Sequence, residues 1–167
     1  KTVLAIVLSP LLGMILAMLV MLLSSWAFRR STSVQAERSF RALHLLSSAA
    51  YSLSHGLNDA QKTMGIITLA LVSAGILATP DVPVWVIVVA ATAISLGTAI
   101  GGWRIMRTMG HRVVELEPVH GFAAETTAAS ILLVTAHLGM PVSTTHVISS
   151  SIMGVGTSKG PREVRWG

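Results

Sequence analysis

Two patterns alternate along this chain. One is unbroken apolarity: Val3 to Phe28 runs 26 residues without a charge, and Val84 to Trp103 runs 20. About 18 such residues mark a membrane-crossing helix, because ~20 residues at ~1.5 Å rise span the hydrocarbon core. The other pattern is an apolar segment with polar side chains set into it. "YSLSHGLNDAQKTMGIITLALVSAG", residues 51–75, carries Asn58, Asp59, Gln61 and Lys62 within five positions. A last segment, 118–156, is rich in Ala, Ser and Thr and divides at "LGMP". The pattern predicts an all-α integral membrane protein, a bundle of transmembrane helices with one broken helix and one re-entrant helical hairpin.

The expected elements follow in order. Residues 1–28 form a transmembrane helix and 29–41 a basic loop. Residues 42–79 form a helical region that breaks at "SHGLND", where Gly56 weakens the helix and Asn58-Asp59 favour caps and turns. A continuous helix of that length would reach ~57 Å, long for one crossing. Residues 84–103 form a second transmembrane helix, and 104–117 a short basic segment. Residues 119–158 fold into the hairpin, with the polar tip "PVSTTH" lining a cavity rather than lipid. Residues 159–167 are the tail of what reads as a fragment, since the chain begins at Lys1 and ends abruptly after Trp166-Gly167.

Composition sharpens this picture. Charged residues make up 11% of the chain, against about 25% in a soluble domain. The N-terminal apolar run is too long for a signal-peptide core and has no small-residue cleavage site after it. The net charge of +5 is not a nucleic-acid signature, because the basic residues cluster beside apolar spans. Arg29, Arg30, Arg38 and Arg41, then Arg104, Arg107 and Arg112, then Lys159, Arg162 and Arg165, are all placed in the cytoplasm by the positive-inside rule. Asp81, in the non-basic "ATPDVP", falls outside. There is no cysteine, hence no disulfide and no thiolate metal site.

Charges within spans are costly, about +2.5 to +3.5 kcal/mol for a central Asp, and by default mark a substrate or ion pathway. Asp59, Lys62 and Glu125 qualify. Asp59 and Lys62 stand at i and i+3, so a static ion pair is the competing reading for Lys62. Glu125 has no basic residue within a helical turn. "STTH", 143–146, offers three hydroxyls at a helix N-terminus, which suits an anion; Ser143 as an N-cap is the plainer alternative. Ser143 with His146 also has the composition of a nucleophile and base, but no orienting third group or G-x-S-x-G context accompanies them. No enzymatic activity is expected. His44 and His137 read as packing or interfacial residues; His55 and His120, each before a Gly, suit a pore-facing donor or a helix end equally.

Together "HGLNDAQKTMGII" and "GFAAETTAASILLVTAHLGMPVSTTHVISSSIMGVG" resemble the inorganic phosphate transporter (PiT) family: its Gly-x-Asn-Asp signature, its acidic helix and its P-x-S-T-T-H hairpin. "GTAIGGWRIMRTMG" is also similar. The resemblance covers roughly residues 40 to 160. It implies an inverted-repeat transporter of which this chain is the C-terminal half, the N-terminal half of the same polypeptide being absent. It implies symport of inorganic phosphate with Na⁺ or H⁺ at the cell membrane, with no cofactor beyond that coupling ion. Asn58, Gln61, Ser143, Thr144 and Thr145 would bind phosphate. Asp59, Asn58 and Glu125 would serve the coupling ion, Asp59 ligating the metal if it is Na⁺, and Glu125 would face the same cavity. Partners are phosphate and the lipid bilayer, with no nucleic acid; a homodimer is left open. Three alternatives remain: transport of sulfate or another tetrahedral oxyanion, a non-transporting membrane subunit, and an intramembrane hydrolase.

Overall fold

The computed structural model describes residues 2–30, 32–108, 116–140, 142–160 and 164. These form five helices: α1 (Thr2–Ala27), α2 (Ser33–Ser73), α3 (Val84–Thr108), α4 (Pro118–His137) and α5 (Thr144–Lys159). The expected positions Arg112, Arg162, Arg165 and Pro141 lie outside the described residues.

α1 and α3 form where the uncharged runs predict. Both are mostly open, with 17% and 11% of their most apolar stretch buried against 56% for α4. α1, α3 and α4 are each long and apolar enough to cross a membrane. α4 is therefore the helix on which the bundle is built, packed by α1, α2 and α5. Its small residues Ala123, Ala124 and Ala128 are buried and let neighbours approach closely.

α2 corrects two expectations. It begins at Ser33, capped by the Thr32 hydroxyl, so most of the expected 29–41 loop is helical. It also continues unbroken through "SHGLND" for 41 residues, about 62 Å. The reason is local. Ser54 donates to the Ala50 carbonyl at 2.7 Å and Thr63 to the Asp59 carbonyl at 3.1 Å, so their hydroxyls are satisfied within the helix. Asp59 finds partners at i−4 and i+3 on α2 itself. No polar group there needs an interrupted backbone. Gly56 has open space around it and costs only ~1 kcal/mol relative to Ala.

Among the described residues, two helices end at a glycine with positive φ. Gly75 ends α2 at φ 73° and Gly139 ends α4 at φ 63°. In each, two crossed backbone bonds close the helix: Met140 N–H donates to Thr135 O at 2.9 Å and Gly139 N–H to Ala136 O at 3.1 Å, a Schellman motif. After Gly139 the chain returns as α5 against α4. Lys159 at the end of α5 meets Glu117 at the start of α4, 3.4 Å apart, so the two arms are antiparallel. α5 also lies tightly along α1: a side chain at Gly154 would run into the Met14 backbone, and one at Gly13 would meet Ser150 Oγ at 2.5 Å. The hairpin tip reaches α2 beside Asp59 and Lys62. Beyond Lys62, α2 runs on to Ser73, about 17 Å further.

Candidate functional site

α2 carries a stripe of polar side chains at spacings of three and four: His44, Ser47, Ser48, Tyr51, His55, Asp59 and Lys62. Such spacing places them on one helical face. The stripe ends in two clusters, one centred on Asp59 and one on Glu125.

At the Asp59 cluster, His55 Nε2 lies 2.9 Å from Asp59 Oδ2 and Lys62 Nζ lies 3.4 Å from Oδ1. The Thr144 hydroxyl, at the first residue of α5, approaches Oδ2 at 3.5 Å, the outer edge of hydrogen-bond reach. The His55 ring extends the chain: its Nδ1 is 3.0 Å from the Tyr51 hydroxyl. The imidazole thus stands between the Asp59 carboxylate and the Tyr51 hydroxyl, linking the two along one face of α2. Lys62 also donates to the Val142 carbonyl at 2.7 Å. Two segments 80 residues apart are thereby joined around one carboxylate.

At the second cluster, Glu125 of α4 accepts from Ser47 at 2.7 Å and from Ser48 at 2.8 and 2.9 Å. His44 Nε2 lies 3.3 Å from the same carboxylate. Ser47 and Asp59 are 12 positions apart on α2, about 18 Å. Glu125 thus has its own set of partners, and Tyr51 lies between it and Asp59 on the stripe.

The remaining expected residues divide. Asn58 is buried at 4% exposure. Gln61 is exposed, because two positions beyond Asp59 is ~200° around the helix. Thr144 is buried while Thr145 and His146 are exposed. Ser143 is the N-cap of α5, its hydroxyl accepting from the His146 backbone N–H at 3.4 Å. That hydroxyl serves the helix end, which is not the geometry of a nucleophile aimed at a general base. A groove of about 560 Å³, lined by Ser24, Phe28, Glu37, Phe40 and Glu117 among others, lies at a different part of the bundle and holds none of these residues.

Sequence reading missed Ser47, Ser48 and Tyr51, left His55 undecided, and treated His44 as packing. The signal was the three-and-four spacing of polar residues from His44 to Lys62, which marks a polar face on an apolar helix.

An all-helical membrane protein with a carboxylate braced between a long helix and a hairpin tip is the class these features define. A model of the phosphate transporter family matches residues 28–167, and the chain belongs to that family. It is 49% identical to a probable low-affinity inorganic phosphate transporter of Rhizobium meliloti, over 100% of this chain and 50% of that protein. It is 42% identical to a protein of the same description from Bacillus subtilis, again over 100% and 50%. A putative phosphate permease of Pyrococcus furiosus is 34% identical over 77% of this chain and 32% of its own length. The chain thus spans about half the length of the first two relatives. No solved structure matches it.

Proposed function

We propose that the intact protein is a secondary active transporter, a symporter that carries inorganic phosphate across the cell membrane with Na⁺ or H⁺. The observation that carries this reading is Asp59, a carboxylate on the polar stripe of α2, braced by the tip of a hairpin. The relatives' printed descriptions supply the substrate. The tip supplies the chemistry: the N-terminus of α5 presents unpaired backbone N–H groups and the positive end of a helix dipole, with the hydroxyls of Ser143, Thr144 and Thr145 beside it.

In this reading Asn58 and the three hydroxyl residues contact phosphate, while Gln61, expected beside them, faces away from Asp59. Asp59 takes the coupling cation, as a Na⁺ ligand or a proton carrier, with Asn58 beside it. Glu125, with Ser47 and Ser48, is a second ion station on the same polar stripe. The hairpin is re-entrant in this reading; α4 at 20 residues is long enough to cross, but α5 at 16 residues is about 24 Å long, short of the ~30 Å hydrocarbon core. The basic flanks of both arms face the cytoplasm. The other half of the site comes from the remainder of the polypeptide, in inverted orientation. Nothing in the site breaks a covalent bond, so no catalytic residue is assigned.

The test is uptake of labelled phosphate by vesicles holding the intact protein, with Na⁺ and pH gradients imposed separately. Uptake should follow one of the two gradients, and sulfate should compete poorly. Equal transport of sulfate would make this a general oxyanion carrier. No gradient-driven uptake would leave a non-transporting subunit.

A further inference from the structure

Lys62 is the cation of the Asp59 cluster, and its geometry is not that of a static ion pair. Its shortest bond, 2.7 Å, runs to the backbone carbonyl of Val142 at the hairpin tip, while Asp59 Oδ1 stands at 3.4 Å. Asp59 has its closer partner in His55, at 2.9 Å on the other oxygen. The ammonium therefore leans on a neutral acceptor and is only loosely matched by the carboxylate. Its side chain is 38% exposed, so an anion can reach it.

The mechanical setting matters as much. α2 packs extensively on α4, and α4 on α5, but contact between α2 and α5 is sparse. Among the described residues, Lys62 bonds to Val142 O and Thr144 to Asp59 across from α2 to the hairpin tip, and Tyr51 packs against the apolar cluster that holds Val142. The Thr144 bond is at the limit of hydrogen-bond length. The Lys62 bond is the stronger tie.

Resting on the reading of this site as a phosphate site, we propose that Lys62 is a latch that phosphate releases. Its ammonium holds the hairpin tip to α2 through the Val142 carbonyl. A phosphate oxygen carries a negative charge that the carbonyl lacks, so it attracts the ammonium by ion pairing as well as by the hydrogen bond. When phosphate arrives at the N-terminus of α5, Lys62 turns to it and the tip is freed. One residue thereby links occupancy of the site to movement of the hairpin.

Val142 is 3% exposed and its carbonyl survives substitution, so Val142→Cys in the intact protein, with any cysteine outside these 167 residues replaced, reports lifting of the tip. The measurement is the rate of maleimide modification of that cysteine against inorganic phosphate concentration, with sulfate as control. With Lys62 intact, modification should accelerate with phosphate, at the same half-effect concentration as uptake. With Lys62→Met, modification should be fast without phosphate, and half-saturation of uptake should rise roughly ten- to a hundredfold, as loss of a bond to a charged group implies. Lys62→Arg should restore part of the phosphate response. If the cysteine is indifferent to phosphate while uptake proceeds, the latch is overturned without reference to any Lys62 variant. If Lys62→Met weakens uptake but leaves modification slow, Lys62 only binds the anion. A transporter that ignores phosphate yet shows fast modification in Lys62→Met would keep the latch and sink the phosphate reading instead.

Discussion

At Asp59 one carboxylate meets an imidazole, an ammonium and a hydroxyl within 3.5 Å. If Asp59 lies at membrane depth, these partners offset the ~2.5–3.5 kcal/mol that a central Asp costs there. They also rank the neighbours. His55→Leu removes the closest one, and a hydrogen bond to a charged group is worth ~1.5–3 kcal/mol. Uptake should fall about ten- to a hundredfold. Tyr51→Phe removes a hydroxyl that touches His55 and not the carboxylate; at the ~0.5–1.5 kcal/mol of an ordinary hydrogen bond it should cost no more than about tenfold. Initial rates at equal membrane abundance check the order; equal losses would mean that His55 does not act through Asp59. At the tip, Thr144→Val and Thr145→Val keep shape and remove a hydroxyl. Each should raise the half-saturation concentration for phosphate roughly ten- to a hundredfold, and values within about twofold of the unaltered protein for both would turn their hydroxyls away from the substrate. Some of this was open to a sequence reader. The Asp59–Lys62 pair follows from i,i+3 spacing, and His55 from i−4. The contacts of Lys62 with Val142 and of Glu125 with Ser47 join positions about 80 apart, and no local period encodes them.

The helices show which local signals dominate over a long element. Gly56 and "ND" are weak breakers, and in α2 they yield to a helix whose polar groups are satisfied from within. Glycine at positive φ is the stronger stop: Gly139 ends α4 within the expected "LGMP" break, and Gly75 ends α2 at Ser73, short of the boundary expected at 79. The hairpin was legible from "LGMP" and from its small residues; its docking against α1 was not, because Gly13 and Gly154 become contacts only once both helices are placed. This gives a paired prediction. Gly154→Ala forces a methyl group into the Met14 backbone and should destabilise by ~1–3 kcal/mol. Gly97→Ala, with nothing within 4 Å, should be neutral or stabilise by up to ~1 kcal/mol. Thermal unfolding of the detergent-solubilised intact protein should separate them in opposite directions; a matched response would contradict the close α1–α5 contact.

Over the whole molecule, composition settled the class and charge placement the expected orientation. Asp81→Cys should react with an impermeant reagent from outside and Lys159→Cys only from inside; the reverse pattern would invert the topology. What the sequence hid at this scale is where along the stripe Glu125 lands, since only the packing of α4 on α2 sets it. The central claim, that Asp59 is where the ion and the phosphate meet, is tested most directly by uptake of labelled phosphate into proteoliposomes holding the intact protein or its Asp59→Asn variant at matched abundance. The variant keeps the size of the side chain and loses its charge. It should insert normally and carry no gradient-driven phosphate. Uptake at the unaltered rate with unaltered coupling would contradict the account.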